Sequence, residues 1–242
     1  MGLWHFDEGE GKTVKDAAGF GAKGHFTTNK EKAGTLPEWV EGKFGTGVHL
    51  PLGTNYVEVP DSDSLNIAEE ITMEIWAKVD SISADPYCSF ITKCSADGVG
   101  AYMLHVDGSG GAVAIDPLVF IDNSYAQWPS ARGQAPFEEW HHFAGTYDGK
   151  EYKTYIDGEL VATLTRSPGG EIDHSDAPVA IGRDNRYAIP GGRFMDCIVD
   201  EARIWSRVLS EDEIQEAMEG ALLSVDPKDL LSTTWGQIKA GF

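Results

Sequence analysis

From Ile71 to Val79 the chain alternates without a break. Ile71, Met73, Ile75, Ala77 and Val79 fall on one face of an extended segment, and Thr72, Glu74, Trp76 and Lys78 fall on the other. This period of two predicts a strand. Similar segments recur at AYMLHV from Ala101 and AVAIDPLVFI from Ala112, where Pro117 marks a bulge or an edge because it has no N–H to give a ladder. The run EWHHFAGTYDGKEYKTYIDGELVATL reads as three strands joined at Asp148-Gly149 and Asp157-Gly158, the dipeptides that tight hairpin turns demand. Two more strands are expected, in PVAIG from Pro178 to Gly182 and in CIVDEARIW ending at Trp205. Short alternating segments between Gly, Asp and Asn punctuation describe antiparallel sheets rather than βαβ units.

One helix is expected. Ser210 is its N-cap, Glu213 completes a capping box, Ile214, Ala217 and Met218 form its apolar stripe, and Gly220 ends it. The chain then changes character. Asp226-Pro227 interrupts it, and residues 221–242 read as an extension that docks through Leu230, Trp235 and Ile238, or else as a linker stub or mobile tail. Residues 1–220 are therefore taken as one domain.

Composition narrows the function classes. Hydrophobic residues make up 41% of the 242 residues, enough for a full-sized interior. Nineteen Lys and Arg against 39 Asp and Glu give a formal charge of −20. Such a field repels phosphates and anionic head groups, so nucleic acid and membrane surfaces are not expected partners. The same carboxylates suit hard cations such as Ca²⁺, although an acidic surface also simply keeps a protein soluble. No apolar run approaches the ~20 residues of a membrane span, and Met1-Gly2 opens directly onto a strand-like segment without a signal peptide, as in a domain cut from a longer chain. Cys88 and Cys94 share one predicted strand, where six residues at roughly 3.3 Å each hold them about 20 Å apart, beyond disulfide reach. Cys197 is free to pair with either, but the simplest expectation is three buried thiols.

Several fragments, taken in order, carry a family resemblance: LWHFDEGEG with Asp16 to Gly19, KFGTGVHL, YVEVPDSDSLNI, ITMEIWAKV, EWHHFAGTYDG with YIDGELVAT, IGR, and VDEARIWSRVLSEDEI. The chain resembles the laminin-G-like, pentraxin-like jelly rolls of the concanavalin A-like lectin/glucanase superfamily over about residues 3 to 219. The resemblance implies an all-β fold, a two-sheet antiparallel jelly-roll sandwich with first and last strands adjacent. It also implies relatives that bind glycans, proteins or nothing yet identified, and a secreted or cell-surface location is expected for this chain. Cys197 departs from the pattern, standing where relatives often carry Gly.

Enzymatic chemistry finds little support. Retaining glycosidases need two carboxylates side by side, about 5 to 5.5 Å apart. Glu69 and Glu70 precede the strand that holds Glu74, and Asp200 and Glu201 are adjacent, so alternation sends them to opposite faces. The His141-His142 pair diverges for the same reason and is assigned to packing or hydrogen bonding. No Gly-x-Ser-x-Gly elbow, P-loop or His-Glu-x-x-His occurs. A non-catalytic binding module is expected, recognising carbohydrate or a cell-surface glycoprotein, with a structural or adhesive protein-interaction domain as the alternative and a hydrolase or lyase as the remote one.

Two sets of candidate site residues follow. Given adjacent first and last strands, Asp7, Asp16, Gly45 and Asp200 are expected to supply oxygens to a structural Ca²⁺, unless the aspartates merely cap backbone N–H groups. Sugar recognition wants aromatic platforms beside planar polar groups on loops. Asn123, Tyr125, Trp128 and Arg132 offer these in one loop, and Asp184, Asn185, Arg186 and Tyr187 in another, the two expected to gather along one rim. The alternative is that Tyr125, Trp128 and Tyr187 cover the edge of the core.

Overall fold

The computed structural model describes residues 1–28, 36–53, 55–95, 99–125, 133–166, 169–185 and 193–220. Among the described residues two antiparallel sheets hold nearly all the regular structure. In spatial order the first sheet contains β15 (Glu159–Thr165), β14 (Glu151–Ile156), β13 (Trp140–Tyr147), β7 (Ile71–Ile82), β17 (Met195–Trp205), β5 (Thr46–Leu50) and β4 (Glu38–Glu41), while β1 (Gly2–Trp4) also pairs with β17. The second contains β11 (Ser124–Tyr125), β10 (Val113–Ile121), β9 (Gly100–Asp107), β8 (Tyr87–Cys94), β16 (Val179–Ile181), β6 (Asn55–Val59), β3 (Gly24–Thr28) and β2 (Thr13–Val14), with β12 (Gly133–Ala135) on β10. This is the expected jelly-roll sandwich, with the first strand beside the last.

The core forms where the inner faces meet. Ile71, Met73, Ile75, Ala77 and Val79 of β7 are buried as their alternation predicts, facing Tyr102, Leu104, Val106, Ile115 and Val119. Phe90 of β8 stacks on Phe143 of β13, with centroids 4.9 Å apart, and so ties one sheet to the other. All three cysteines are buried and none forms a disulfide. Cys197 is accommodated in the core on β17.

Turn chemistry sets the registers. Asp157 (φ 51°) and Gly158 (φ 78°) form the two-residue hairpin between Ile156 and Glu159. Asp148 Oδ1 accepts from the N–H groups of Lys150 and Glu151 at the other predicted turn. Pro117 lies on β10 between the stretches paired with β12 and β11, with no break in its register to β9, so it marks an edge position and not a bulge.

Helix α1 (Glu211–Met218) forms where expected. Ser210 Oγ accepts from Glu213 N–H and Glu213 accepts from Ser210 N–H. Ile214 and Ala217 pack with Ala144, Tyr155, Trp205 and Leu209 on the outer face of the first sheet. Consequently the polar face of β7 is buried too: Thr72 and Glu74 are inaccessible and Trp76 nearly so. Thr72 Oγ1 donates to Arg207 O and accepts from Leu209 N–H, which fixes the turn into the helix. The expected extension over residues 221–242 lies outside the described residues.

Candidate functional site

The expected metal ligands separate into two places. Asp16 accepts four backbone N–H bonds, from Leu3 and Ala18 at Oδ1 and from Phe20 and Ala22 at Oδ2. Its carboxylate organises the turn of residues 16–22 by capping backbone N–H groups, the alternative expected for these aspartates, and it shares no backbone donor with Asp7 or Asp200.

Asp7, Gly45 and Asp200 do converge. Asp7 Oδ1 accepts from Thr46 N–H at 3.1 Å, and Asp200 Oδ2 accepts from Phe44 N–H at 2.9 Å. Both carboxylates thus grip the tight turn Gly42–Gly45. Its glycines are required by contact: a Cβ on Gly42 would lie 2.7 Å from Asp200 Oδ2, and one on Gly45 (φ 55°) 2.4 Å from Asp7 Oδ1. Burial, then the charges of Glu201 and Asp7, push the Asp200 carboxyl up to about 7. Among the described residues no three or more His, Cys, Asp and Glu side chains are grouped to hold a metal ion. The oxygens gathered at this turn are those of two carboxylates, the donor type a hard cation prefers.

Alternation fails at Asp200-Glu201. The register on β7 shifts between Asp200 and Arg203, with Glu201 at φ 51°, so a β-bulge inserts there. Asp200 pairs with Trp76 and Arg203 with Glu74, and the Glu201 carboxylate also reaches the outer face, so the two acids share a face after all. Both are committed. Glu201 takes Arg203 Nη2 at 2.6 Å and His5 Nδ1 at 2.8 Å, which holds the His5 imidazole above its ordinary pKa.

This bulge opens a charged network that the sequence did not reveal. Glu74 Oε1 accepts from Arg203 Nη1 at 3.2 Å and Trp205 Nε1 at 2.9 Å, and Glu74 Oε2 lies 3.3 Å from His142 Nε2. Arg203 Nη1 also donates to Ala217 O, and Trp76 Nε1 to Met218 O, so the network pins the last turn of α1. His141 turns elsewhere, to Asp157 Oδ2 at 2.7 Å, while the buried His142 ring packs against Trp76 with centroids 5.5 Å apart. Only the pairing of β7 with β17 brings Glu74 to Arg203, and no local signal announces it.

The described ends of the two predicted loops leave the second sheet at opposite ends. β9 runs against both β8 and β10, and β16 runs against β8, so β10 and β16 point in opposite directions. Their C-terminal ends, carrying Asn123 and Asp184-Asn185 respectively, lie at opposite ends of the second sheet. Asn123 (φ 58°) forms a two-residue turn with Asp122 (φ 54°), held by N–H bonds from both to Asp173. Asp184 is buried, its Oδ2 3.0 Å from Arg193 Nη1, so it is an internal ion pair and not a ligand-presenting group. Asn185 is half-buried beside it. Trp128, Arg132, Arg186, Tyr187 and the side chain of Tyr125 lie outside the described residues.

Two further arrangements bear on chemistry. Ser89, His105 and Asp116 stand side by side across β8, β9 and β10, all fully buried. Ser89 Oγ makes no hydrogen bond, so the row lacks the nucleophile–base contact of a hydrolase. At the end of the sandwich where β7 begins and β17 ends, a cleft of about 690 Å³ opens between Phe20, the segment Asp63–Glu70 and Ser206. Phe20 is 60% exposed there. In the sequence its signal is an aromatic flanked by two glycines, Gly19-Phe20-Gly21, in a turn that follows Asp16.

A profile described as the concanavalin A-like lectin/glucanases superfamily matches residues 52–215, more than half of the chain. The protein belongs to this superfamily. Among solved structures it is similar to domain 4 of AbnA, a GH43 extracellular arabinanase from Geobacillus stearothermophilus, solved in complex with arabinotriose. The TM-score is 0.64 at 20% identity, over 90% of this chain and 97% of that one. It is also similar to the receptor binding domain of botulinum neurotoxin mosaic serotype C/D, with TM-score 0.63 at 16% identity, over 90% of this chain and 50% of that one. For the binding domain of Paraclostridial Mosquitocidal Protein 1 the values are 0.62 and 13%, over 90% and 51%. The chain thus spans about half the length of these toxin domains. At these identities the likeness is one of fold. No curated protein matches the chain.

Proposed function

We propose that the protein is a non-catalytic module that binds extracellular glycan, secreted or displayed at a cell surface as part of a larger protein, with a structural Ca²⁺ held by Asp7 and Asp200. The observation that carries the reading is the near-complete match to a domain of an extracellular arabinanase that was solved with arabinotriose. One feature of the chain supports it. Asp200 and Glu201, which share a face, are tied to His5, Arg203 and backbone N–H groups, the bonding of a structural cluster. No helix among the described residues is long and apolar enough to cross a membrane. The calcium reading rests on two carboxylates facing one glycine-lined turn, with Asp200 paying for burial and repulsion that a cation would relieve.

The test is titration calorimetry with arabinotriose and a screen of immobilised glycans, each with calcium and with chelator, beside an assay for released reducing sugar. Binding without hydrolysis supports the proposal. Release of reducing sugar that disappears on replacing Asp200 or Glu201 overturns it. A protein-binding role is the second reading, favoured by Leu160 and Val161, both 42% exposed on the edge strand β15.

A further inference from the structure

Resting on the glycan-module reading, we infer that the cleft beside Phe20 is the sugar subsite and that it takes neutral saccharides, excluding uronic, sialic and sulfated ones. Its volume, about 690 Å³, falls within the range of small-ligand sites and suits a short oligosaccharide. The residues that matter are Phe20, Asp63, Asn66, Ile67, Glu69 and Glu70.

Phe20 is the platform. A large apolar ring left 60% exposed loses the free energy of burial, yet its backbone is held in place by the N–H bond to Asp16 Oδ2, one of four that cinch the turn. The ring is therefore presented in advance, which lowers the ordering cost of stacking a sugar's C–H face on it. The same cleft is lined by planar acceptors suited to sugar hydroxyls. Asp63, Glu69 and Glu70 are exposed; the Met1 ammonium also lines the cleft, donating to Ser64 O with its pKa lowered by burial, so three carboxylates face one cation and the lining is net acidic. Carboxylates in that state accept hydroxyl protons and repel an anionic ring, which decides the ligand class. Asn66 adds a buried amide oxygen with no hydrogen-bond partner, and rotation of the amide would offer it to an incoming hydroxyl. The cleft also adjoins a predicted binding residue. Ile172 N–H donates to Ala68 O in the cleft wall, and the next residue, Asp173, holds the N–H of Asn123.

The experiment is an array of neutral pentose and hexose oligosaccharides printed beside uronic-acid and sulfated ones, probed with the 242-residue protein, with Phe20→Ala and with Glu69→Gln/Glu70→Gln. All three substituted positions are exposed, so the fold is retained, which circular dichroism checks. The wild type is expected to bind neutral glycans only. Phe20→Ala should lose about tenfold or more, by analogy with the loss of one stacking ring. The double variant should gain retention of uronic-acid glycans. If the wild type binds neutral glycans and Phe20→Ala binds them equally, the cleft assignment is overturned while the glycan-module reading stands. If only acidic glycans bind, the ligand class is overturned. If no glycan of either kind binds, both fall together.

Discussion

Replacing Arg203 by Met tests whether the buried charges beneath α1 hold the helix to the sheet. Arg203 is 1% exposed and is the guanidinium shared by Glu74 and Glu201, both buried, as well as a donor to Ala217 O. Met keeps much of the stem but leaves two carboxylates with one cation fewer. Breaking a buried pair from one side costs about 3–5 kcal/mol. At about 2–4 °C per kcal/mol for a domain of this size, Tm should fall by about 6–20 °C. The pH dependence adds a second readout. Burial pushes the Glu74 carboxyl up, but His142, Arg203 and Trp205 outweigh it and hold the group below its ordinary value. A depressed folded-state pKa supplies stability above the unfolded value and loses it as pH falls through the folded one. Without Arg203 that depression shrinks, so the deficit of the variant relative to wild type should hold steady from about pH 8 down to 4.5, the ordinary value for Glu74, and narrow as pH falls below it. Urea unfolding followed by circular dichroism at several pH values measures both, and adding Glu74→Gln should recover about 1–3 kcal/mol through coupling. A loss under about 1 kcal/mol, or a deficit independent of pH, would refute the electrostatic account and leave α1 held by Ile214 and Ala217 alone.

Asp200→Ala should abolish the difference in Tm between calcium and chelator, whereas Asp16→Ala should lower Tm by the same amount in both, since it frees four backbone N–H groups; a calcium response that survives Asp200→Ala removes the metal from this turn. His5 carries a raised pKa chiefly from its hydrogen bond to Glu201, so the pair stabilises below the unfolded value of 6.5 and loses this as pH rises through the folded one. His5→Gln should therefore cost more at about pH 5.5 than at about pH 9, as thermal melts would show. Burial pushes the Cys88 thiol up to about 12, so an aromatic disulfide reagent should label no cysteine in the native protein and all of them in denaturant.

Local pattern was enough for the local structure. Alternation placed β7, Asp-Gly pairs placed two hairpins, and Ser210 with Glu213 placed α1, because each depends on contacts within a few residues. Order along the chain, through family resemblance, placed the first strand beside the last and so brought Asp7 to Asp200. Pairing between distant strands lay beyond it. Alternation sent Asp200 and Glu201 to opposite faces, and a bulge that exists only in register with β7 returned them to one. Loop composition could not tell that β10 and β16 run oppositely, nor that Asp184 turns inward to Arg193. Asp16 could be read as a ligand or as a cap until the fold closed four N–H donors around it. Strand period and turn type are fixed by neighbours in sequence, whereas partners for a buried charge, and the end of a sheet at which a loop emerges, are fixed by residues far along the chain, which only the folded protein brings together.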